Sequence, residues 1–182
     1  MILRISHHVF CLALAVGIAG CASTVRMDGN DKLTNYSHHG EKYNAIAVSW
    51  SDSLAADADK VSRIHDLRLD KAIANHLIKS RLYDTQSAYS IDVLVTDFRF
   101  RNAANAILFG FLSGSDNLDG VVTLKNPDGT QLVRFTISAS YALGGVGGGN
   151  NEDRLGWLSG KFADLAANTI LNKQPPSEQA GK

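Results

Sequence analysis

Apolar residues recur along the chain with two different periods, and these periods divide it into strands and helices. Large and small side chains alternate over Tyr43 to Trp50 (YNAIAVSW), which predicts a short strand. Residues 61–83 place leucine, isoleucine and alanine over a broad arc of a helical wheel and predict a helix. Residues 152–172 repeat that period in a narrower stripe and predict a second helix, with its N-cap at Asn151.

The remaining regular segments have the two-residue period of strands. In residues 88–101 (AYSIDVLVTDFRFR) the large apolar side chains change face after Thr96, which predicts either a β-bulge or a strand that runs past the edge of its covering layer. Residues 119–125 and 131–141 flank the sequence NPDGT, a proline–glycine turn that predicts a hairpin. Because the second arm alternates apolar and polar residues, we expect an antiparallel sheet with one covered face.

The element order β-α-β-β-β-α predicts an α+β fold. We expect a two-layer sandwich in which a mainly antiparallel four-stranded sheet carries two helices on one face. The second helix also contains a row of small residues, which we expect to let the first helix approach closely: Gly156, Gly160, Ala163 and Ala167.

Composition supports one folded domain, and the first residues add a targeting signal. The chain has 182 residues, 45% of them hydrophobic, and its 18 basic and 18 acidic residues give no reason to expect nucleic-acid binding. Residues 9–19 form an apolar run of 11 residues, too short for a membrane-spanning helix, and predict a secretory signal peptide.

The tetrapeptide Ile18-Ala19-Gly20-Cys21 resembles the lipobox of bacterial lipoproteins, in which two small residues precede an acylated cysteine. The resemblance implies that Cys21 carries acyl chains such as palmitate and anchors the protein in a membrane. The residue after this cysteine is Ala22, which resembles the pattern of lipoproteins sorted to the outer membrane. We therefore expect an outer-membrane protein that faces the periplasm. The alternative is an ordinary signal peptide that happens to contain Cys21.

These assignments define four parts of the chain. Residues 1–20 are the signal peptide, 21–42 the lipidated N-terminus and flexible tether, 43–172 the single domain and 173–182 a disordered tail. Cys11 would leave with the signal peptide, so the mature domain would have no free thiol and no disulfide.

Candidate residues for metal or cofactor binding are few. Adjacent residues of an extended chain point in opposite directions, as His38 and His39 would, and His65 and His76 would lie about 16 Å apart along one helix. Residues 143–151 (LGGVGGGNN) precede a helix but match neither common nucleotide-binding glycine motif. We therefore expect no metal site and no cofactor.

Asp70 falls within the apolar arc of the first predicted helix. A buried carboxylate needs a partner, so we expect an arginine beside it: Arg99, Arg101 or Arg134. The alternative is that Asp70 is a catalytic acid, although no second acid or base is placed beside it by the sequence.

The succession of lipobox, polar tether, NAIAVSW, VLVTDFRFR and GVVTLKNPDGTQLVRF resembles small envelope lipoproteins that carry a domain of unknown function. This resemblance covers roughly residues 43–172 and implies a fold but no activity. We expect a non-catalytic lipoprotein that binds or stabilises another envelope component, with an envelope protein as partner. The alternatives are an apolar-ligand carrier and a hydrolase of an envelope polymer that uses carboxylates such as Asp70, Asp97, Asp116 and Asp119.

Residues 105–114 (NAILFGFLSG) are apolar although the architecture makes them a connection. Two interpretations stay open: a hairpin tip folded onto the core, or an exposed contact for a partner. The candidate contact residues are Ile107, Leu108, Phe109, Phe111 and Leu112, together with Trp157 opposite the main stripe of the second helix.

Overall fold

A computed structural model describes residues 23–27, 37–101, 114–142 and 150–171. The strands are β1 (Thr24–Met27), β2 (Tyr43–Trp50), β3 (Tyr89–Arg99), β4 (Asp116–Lys125) and β5 (Gln131–Tyr141). A single helical turn, α1 (Asp52–Ala55), precedes three helices: α2 (Ala58–Asp66), α3 (Leu69–Lys79) and α4 (Asn151–Ile170). None of the helices among these residues is long and apolar enough to cross a membrane.

The strands form one sheet in the order β1-β5-β4-β3-β2. All neighbours are antiparallel except β2 and β3, which are parallel and are joined through the helices α1 to α3. The helices pack on one face of the sheet, where the core lies. The predicted α+β fold with a helix-covered, mainly antiparallel sheet is therefore confirmed.

The expected number of strands is wrong, because the described residues form a sheet of five strands instead of four. The additional strand, β1, comes from the segment assigned to the tether and pairs with β5, with Thr24 opposite Ser138. Val25 and Met27 pack against the core, whereas Thr24 and Arg26 are exposed. Four residues are too short a run for their alternation to stand out in the sequence.

The single helix expected over residues 61–83 is also wrong, because the structure has two helices there. Arg68 separates α2 from α3 and adopts the left-handed conformation, with φ 46° and ψ 46°. Leu67 and Leu69 on either side are each only 3% exposed. Their burial stabilises a backbone conformation that costs a non-glycine residue about 1 kcal/mol or more.

The predicted β-bulge and hairpin are both confirmed. The register of β3 against β4 shifts between Val95 and Asp97, so Val95 and Phe98 both face the core and are almost fully buried. In the hairpin turn, Asn126 N donates to Thr130 O at 3.0 Å and Gly129 has φ 87°. A positive φ of this size favours glycine, which explains its place in the turn.

The start of α4 lies one residue earlier than expected. Asn150, not Asn151, is the N-cap, since its Oδ1 accepts a hydrogen bond from Asp153 N at 2.9 Å. Asp153 Oδ2 accepts in return from Asn150 N at 3.1 Å, which completes a capping box.

The glycines of α4 do not have the packing role expected of them. A Cβ added at Gly156 or Gly160 would have no neighbour within 4 Å, so no backbone in the described part of the chain approaches there. The close approach occurs instead at Gly120 of β4, where an added Cβ would lie 3.0 Å from Cζ of Phe162. The small residue on the sheet therefore makes room for the large one on the helix.

Candidate functional site

Two arginines and one aspartate form a buried ion cluster where β3, β4 and α4 meet. Asp116 is the first residue of β4 and is 0% exposed. Arg101 follows the end of β3 at 5% exposed, and Arg154 lies in the first turns of α4 at 2%. Buried charges of this kind need paired hydrogen bonds to offset their loss of hydration.

Both carboxylate oxygens of Asp116 accept hydrogen bonds from both arginines. Oδ1 accepts from Arg101 N at 2.8 Å, from Arg101 Nε at 3.1 Å and from Arg154 Nη2 at 2.8 Å. Oδ2 accepts from Arg154 Nε at 2.8 Å and from Arg101 Nη2 at 3.2 Å. These five bonds fill the roughly four lone-pair positions of a carboxylate.

The surroundings of Asp116 hold it in its ionised form. Burial acts most strongly and raises the pKa of Asp116, but the hydrogen bonds from Arg154 and Arg101 together outweigh burial, so this pKa lies below its ordinary value. At neutral pH, Asp116 thus has no proton to donate and no vacant lone pair with which to accept one. It is suited to stabilise structure and unsuited to general acid–base catalysis.

The remaining arginine N–H groups join the cluster to four chain segments. Arg101 Nη1 donates to Gly114 O at 2.6 Å, and Arg101 Nη2 donates to Tyr141 O at 3.2 Å. Arg154 Nη2 donates to Arg101 O at 2.9 Å, and Arg154 Nη1 donates to Asn151 Oδ1 at 3.2 Å. The cluster therefore holds together the ends of β3 and β5 and the starts of β4 and α4.

Phe100 packs on the same cluster. Its ring stabilises the positive charge that remains because two arginines share one aspartate. The guanidinium carbon of Arg154 lies 4.3 Å from the centroid of the Phe100 ring, and that of Arg63 on α2 lies 5.4 Å away. Phe98 stacks beside this ring with a centroid distance of 6.1 Å. Because the face of an aromatic ring attracts cations, Phe100 also links α2 to the cluster.

Of the four carboxylates considered for a hydrolase, only Asp97 and Asp119 are neighbours. Asp116 is sealed in the ion cluster, and Asp70 is exposed on α3, so the expectation of a buried Asp70 with an arginine partner is wrong. Asp97 and Asp119 are directly opposite each other on β3 and β4, on the face away from the helices, where Ser138 Oγ donates to Asp119 Oδ1 at 2.6 Å. The sheet therefore separates this pair from Asp70.

The break at Arg68 accounts for the error at Asp70, because it turns α3 relative to α2 and places Asp70 on the exposed side. Arg101 does have a buried carboxylate partner, but that partner is Asp116.

The predicted partner contacts are described only in part. Cys21, the five apolar residues from Ile107 to Leu112, and the glycine loop 143–149 lie outside the described residues. Trp157 is described: it is 38% exposed on α4, and its ring centroid lies 4.9 Å from that of Tyr141. A large aromatic side chain thus remains on the surface of an otherwise well-packed helix.

The histidines occupy separate environments. His38 Nδ1 lies 3.0 Å from Glu41 Oε2, and the His65 ring packs edge-on against Trp50 at 4.9 Å. Partial burial lowers the pKa of His76, against the opposing effect of the nearby Asp164. Within the described ranges, no group of three or more histidine, cysteine, aspartate and glutamate residues is placed to hold a metal ion.

The sequence analysis missed the ion cluster as a unit, although one signal for it was present. Asp116 is separated from Leu118 and Val122 by even numbers of residues. Since alternate residues of a strand share one face, its side chain lies on the core face of β4 with theirs. A carboxylate at a core position calls for a buried cation. Arg154, directly before Leu155 of the apolar stripe, is the matching position on the helix.

The fold and the site define a two-layer α+β domain braced by a buried aspartate–arginine cluster. The family model described as "Domain of unknown function (DUF4410)" matches residues 33–145, more than half of the chain, and the chain belongs to this family. No curated protein matches the chain significantly.

Two solved structures of PelC from Paraburkholderia phytofirmans are similar in fold. The PelC dodecamer matches with a TM-score of 0.50 and 12% sequence identity, over 82% of this chain and 97% of that chain. A dodecamer of a PelC variant with one substitution matches with a TM-score of 0.50 and 11% identity, over 82% of this chain and 98% of that chain. At 11–12% sequence identity, the similarity to these structures shows that the fold is shared and shows nothing about function.

Proposed function

We propose that this protein is a non-catalytic, lipid-anchored lipoprotein of the outer membrane that binds or stabilises another component of the cell envelope. In this proposal Cys21 carries the acyl chains, only Ala22 and Ser23 separate it from β1 of the sheet, and the domain faces the periplasm. It uses no cofactor and no nucleic acid, and its partner is another envelope protein.

The observation that carries the proposal is that the hydrogen-bonding capacity of the Asp116 carboxylate is fully used by two arginines. The hydrogen bonds from Arg154 and Arg101 lower the pKa of Asp116 and engage all its lone pairs. A glycoside hydrolase needs two carboxyl groups facing one substrate, usually between about 5 and 10 Å apart. Asp70 and the pair Asp97–Asp119 lie on opposite sides of the sheet. Asp97 and Asp119 are thus the one carboxylate pair of the four left for a hydrolase, and the test below replaces both of them.

The fold comparison supports a role in an assembly. The PelC structures are described as dodecamers, so the same architecture can serve as a repeated subunit in another protein. The exposed Trp157 supports a binding role as well, since tryptophan is enriched where proteins meet their partners.

Cross-linking in the native envelope tests the proposal. A photoreactive amino acid replaces Trp157 in one variant and Phe109 of the apolar segment in another, with Lys79 as a control position that is exposed on α3. We expect a discrete cross-linked product from at least one of the first two positions and none from Lys79. The same product should form when Asp97 and Asp119 are both replaced by asparagine. The absence of any product from positions 157 and 109 would count against a binding role there.

A further inference from the structure

The outer edge of β2 presents backbone groups that no described strand pairs. β2 ends the sheet order, and the backbone hydrogen bonds that the described residues make on its outer side are at its first residue, where Tyr43 N donates to Leu82 O at 2.8 Å. Ser51 N donates to Val95 O at 2.9 Å, so alternate residues counted back from Ser51 pair with β3. The N–H and C=O groups of Ile46, Val48 and Trp50 therefore point away from the sheet.

The sequence of β2 supplies little of the protection usual for exposed strands. Native proteins block such edges with lysine or other charges, with proline, with bulges, or with a covering segment. Tyr43–Trp50 contains no charged residue and no proline, and its single register shift lies at the start, between Tyr43 and Ala45. An eight-residue strand of this kind is suited to pair with another strand.

The opposite edge of the sheet, β1, has a matching arrangement. Ser140 N donates to Ser23 Oγ at 3.1 Å, so the backbone groups of Ser140 face β1. Because backbone groups alternate in direction along a strand, those of Ser138 also face β1. Thr24 lies opposite Ser138, which makes the two a hydrogen-bonded pair. The N–H and C=O groups of Val25 and Met27 consequently point outward from the sheet.

The two edges match in two respects: the face that the side chains of their outward-bonding residues occupy, and the direction of the strands. At both edges the residues with outward backbone groups have side chains on the helix-covered face: Val25 and Met27 on β1, and Ile46, Val48 and Trp50 on β2. Directly opposite residues of an antiparallel pair share one face, so pairing the edges joins the two apolar rows. β1 and β2 run in opposite directions within the sheet, as antiparallel pairing between equally oriented copies requires.

We propose that copies of this chain associate head to tail, with β2 of one copy pairing antiparallel with β1 of the next. The sheet then continues from copy to copy with all helices on one side. Because two different edges meet, the interface is heterologous and builds a closed ring or an open filament. The inference goes beyond the proposed function, since a monomer that still cross-links to another envelope protein would refute this association alone.

Cysteine pairs on the exposed face test the association without disturbing the core. Arg26→Cys is introduced in one tagged full-length chain, and Ala45→Cys, Ala47→Cys or Ser49→Cys in a second chain with a different tag; all four side chains are exposed. Directly opposite residues of a pair without mutual hydrogen bonds lie about 4.5 Å apart at Cα, within disulfide range. Membranes containing both chains are then oxidised.

We expect a mixed disulfide between Arg26→Cys and one of the three β2 variants. Thr123→Cys in the middle of the sheet, and the chain without added cysteines, should give none. A disulfide between two copies of the same β2 variant, a disulfide only to a protein of another size, or no disulfide at all would each overturn the proposal.

A proline substitution provides an independent test. Val48→Pro removes an N–H group that points outward, so it should block edge pairing while β2 keeps its bonds to β3. Val48→Ala is the matched control, because it shortens the side chain and keeps the N–H group. Light scattering of the detergent-solubilised full chain should give an oligomer for the native chain and for Val48→Ala, and a folded monomer for Val48→Pro. A monomeric native chain, or a Val48→Pro oligomer of unchanged size, would contradict the proposal.

Discussion

Arg154 on α4 donates two hydrogen bonds to Asp116 at the start of β4, each 2.8 Å long, across 38 positions of sequence. The pair connects the helical layer directly to the sheet. Both side chains are nearly fully buried, so neither charge can be hydrated if the other is removed. This relationship makes the cluster a brace between the two layers.

Replacing Asp116 by alanine should destabilise the fold strongly. The substitution leaves Arg101 and Arg154 buried without a counter-charge, and breaking a buried ion pair in this way costs about 3–5 kcal/mol of unfolding free energy. Urea denaturation of the purified protein measures the loss. Asp97→Ala is the control: it removes an exposed carboxylate opposite Asp119 and should change stability by no more than about 0.5 kcal/mol. Equal small effects of the two substitutions would show that the cluster does not brace the domain.

The stabilisation from Asp116 should depend on pH in one direction. The pKa of Asp116 is lowered in the folded state, so its contribution is complete above the ordinary value of 3.8 and decreases as the pH falls through the folded-state pKa. The stability advantage of the native chain over Asp116→Asn should therefore stay constant from pH 7 to about pH 4 and shrink in stronger acid. Urea midpoints measured at several pH values test this. An advantage that grows as the pH falls would contradict the assignment.

Two glycine-to-alanine substitutions should have opposite effects. At Gly120 the new Cβ would lie 3.0 Å from Phe162 Cζ and 3.2 Å from the carbonyl oxygen of Leu94, so the strand or the ring must move. Overpacking of this kind costs roughly 1–3 kcal/mol. At Gly160, within α4, the new Cβ meets no atom within 4 Å, and alanine should stabilise the helix by up to about 1 kcal/mol. Thermal unfolding of both variants provides the comparison, and a stabilising Gly120→Ala would show that the close packing against Phe162 is wrong.

The sequence predicted what depends on local period and turn chemistry. The bulge after Val95, the hairpin turn at Gly129 and the one-sided apolar pattern of β5 all follow from side-chain alternation and from backbone angles that suit particular residues.

What the sequence did not predict depends on tertiary contacts. Arg68 carries no proline or glycine signal for a helix break, and its left-handed conformation is stabilised by the burial of its neighbours Leu67 and Leu69. The partnership of Asp116 with Arg101 and Arg154 joins residues 15 and 38 positions apart, a distance at which pattern within one element gives no information.

Acylation of Cys21 is the claim on which the anchored function depends most. Metabolic labelling with a radioactive fatty acid, followed by fractionation of the membranes, measures it directly in the native chain and in Cys21→Ser. We predict that the native chain carries the label and sediments with the outer membrane, because only the thiol forms the thioether. We predict that Cys21→Ser carries no label and is either uncleaved or released from the outer membrane. Equal labelling of the two proteins would contradict the account.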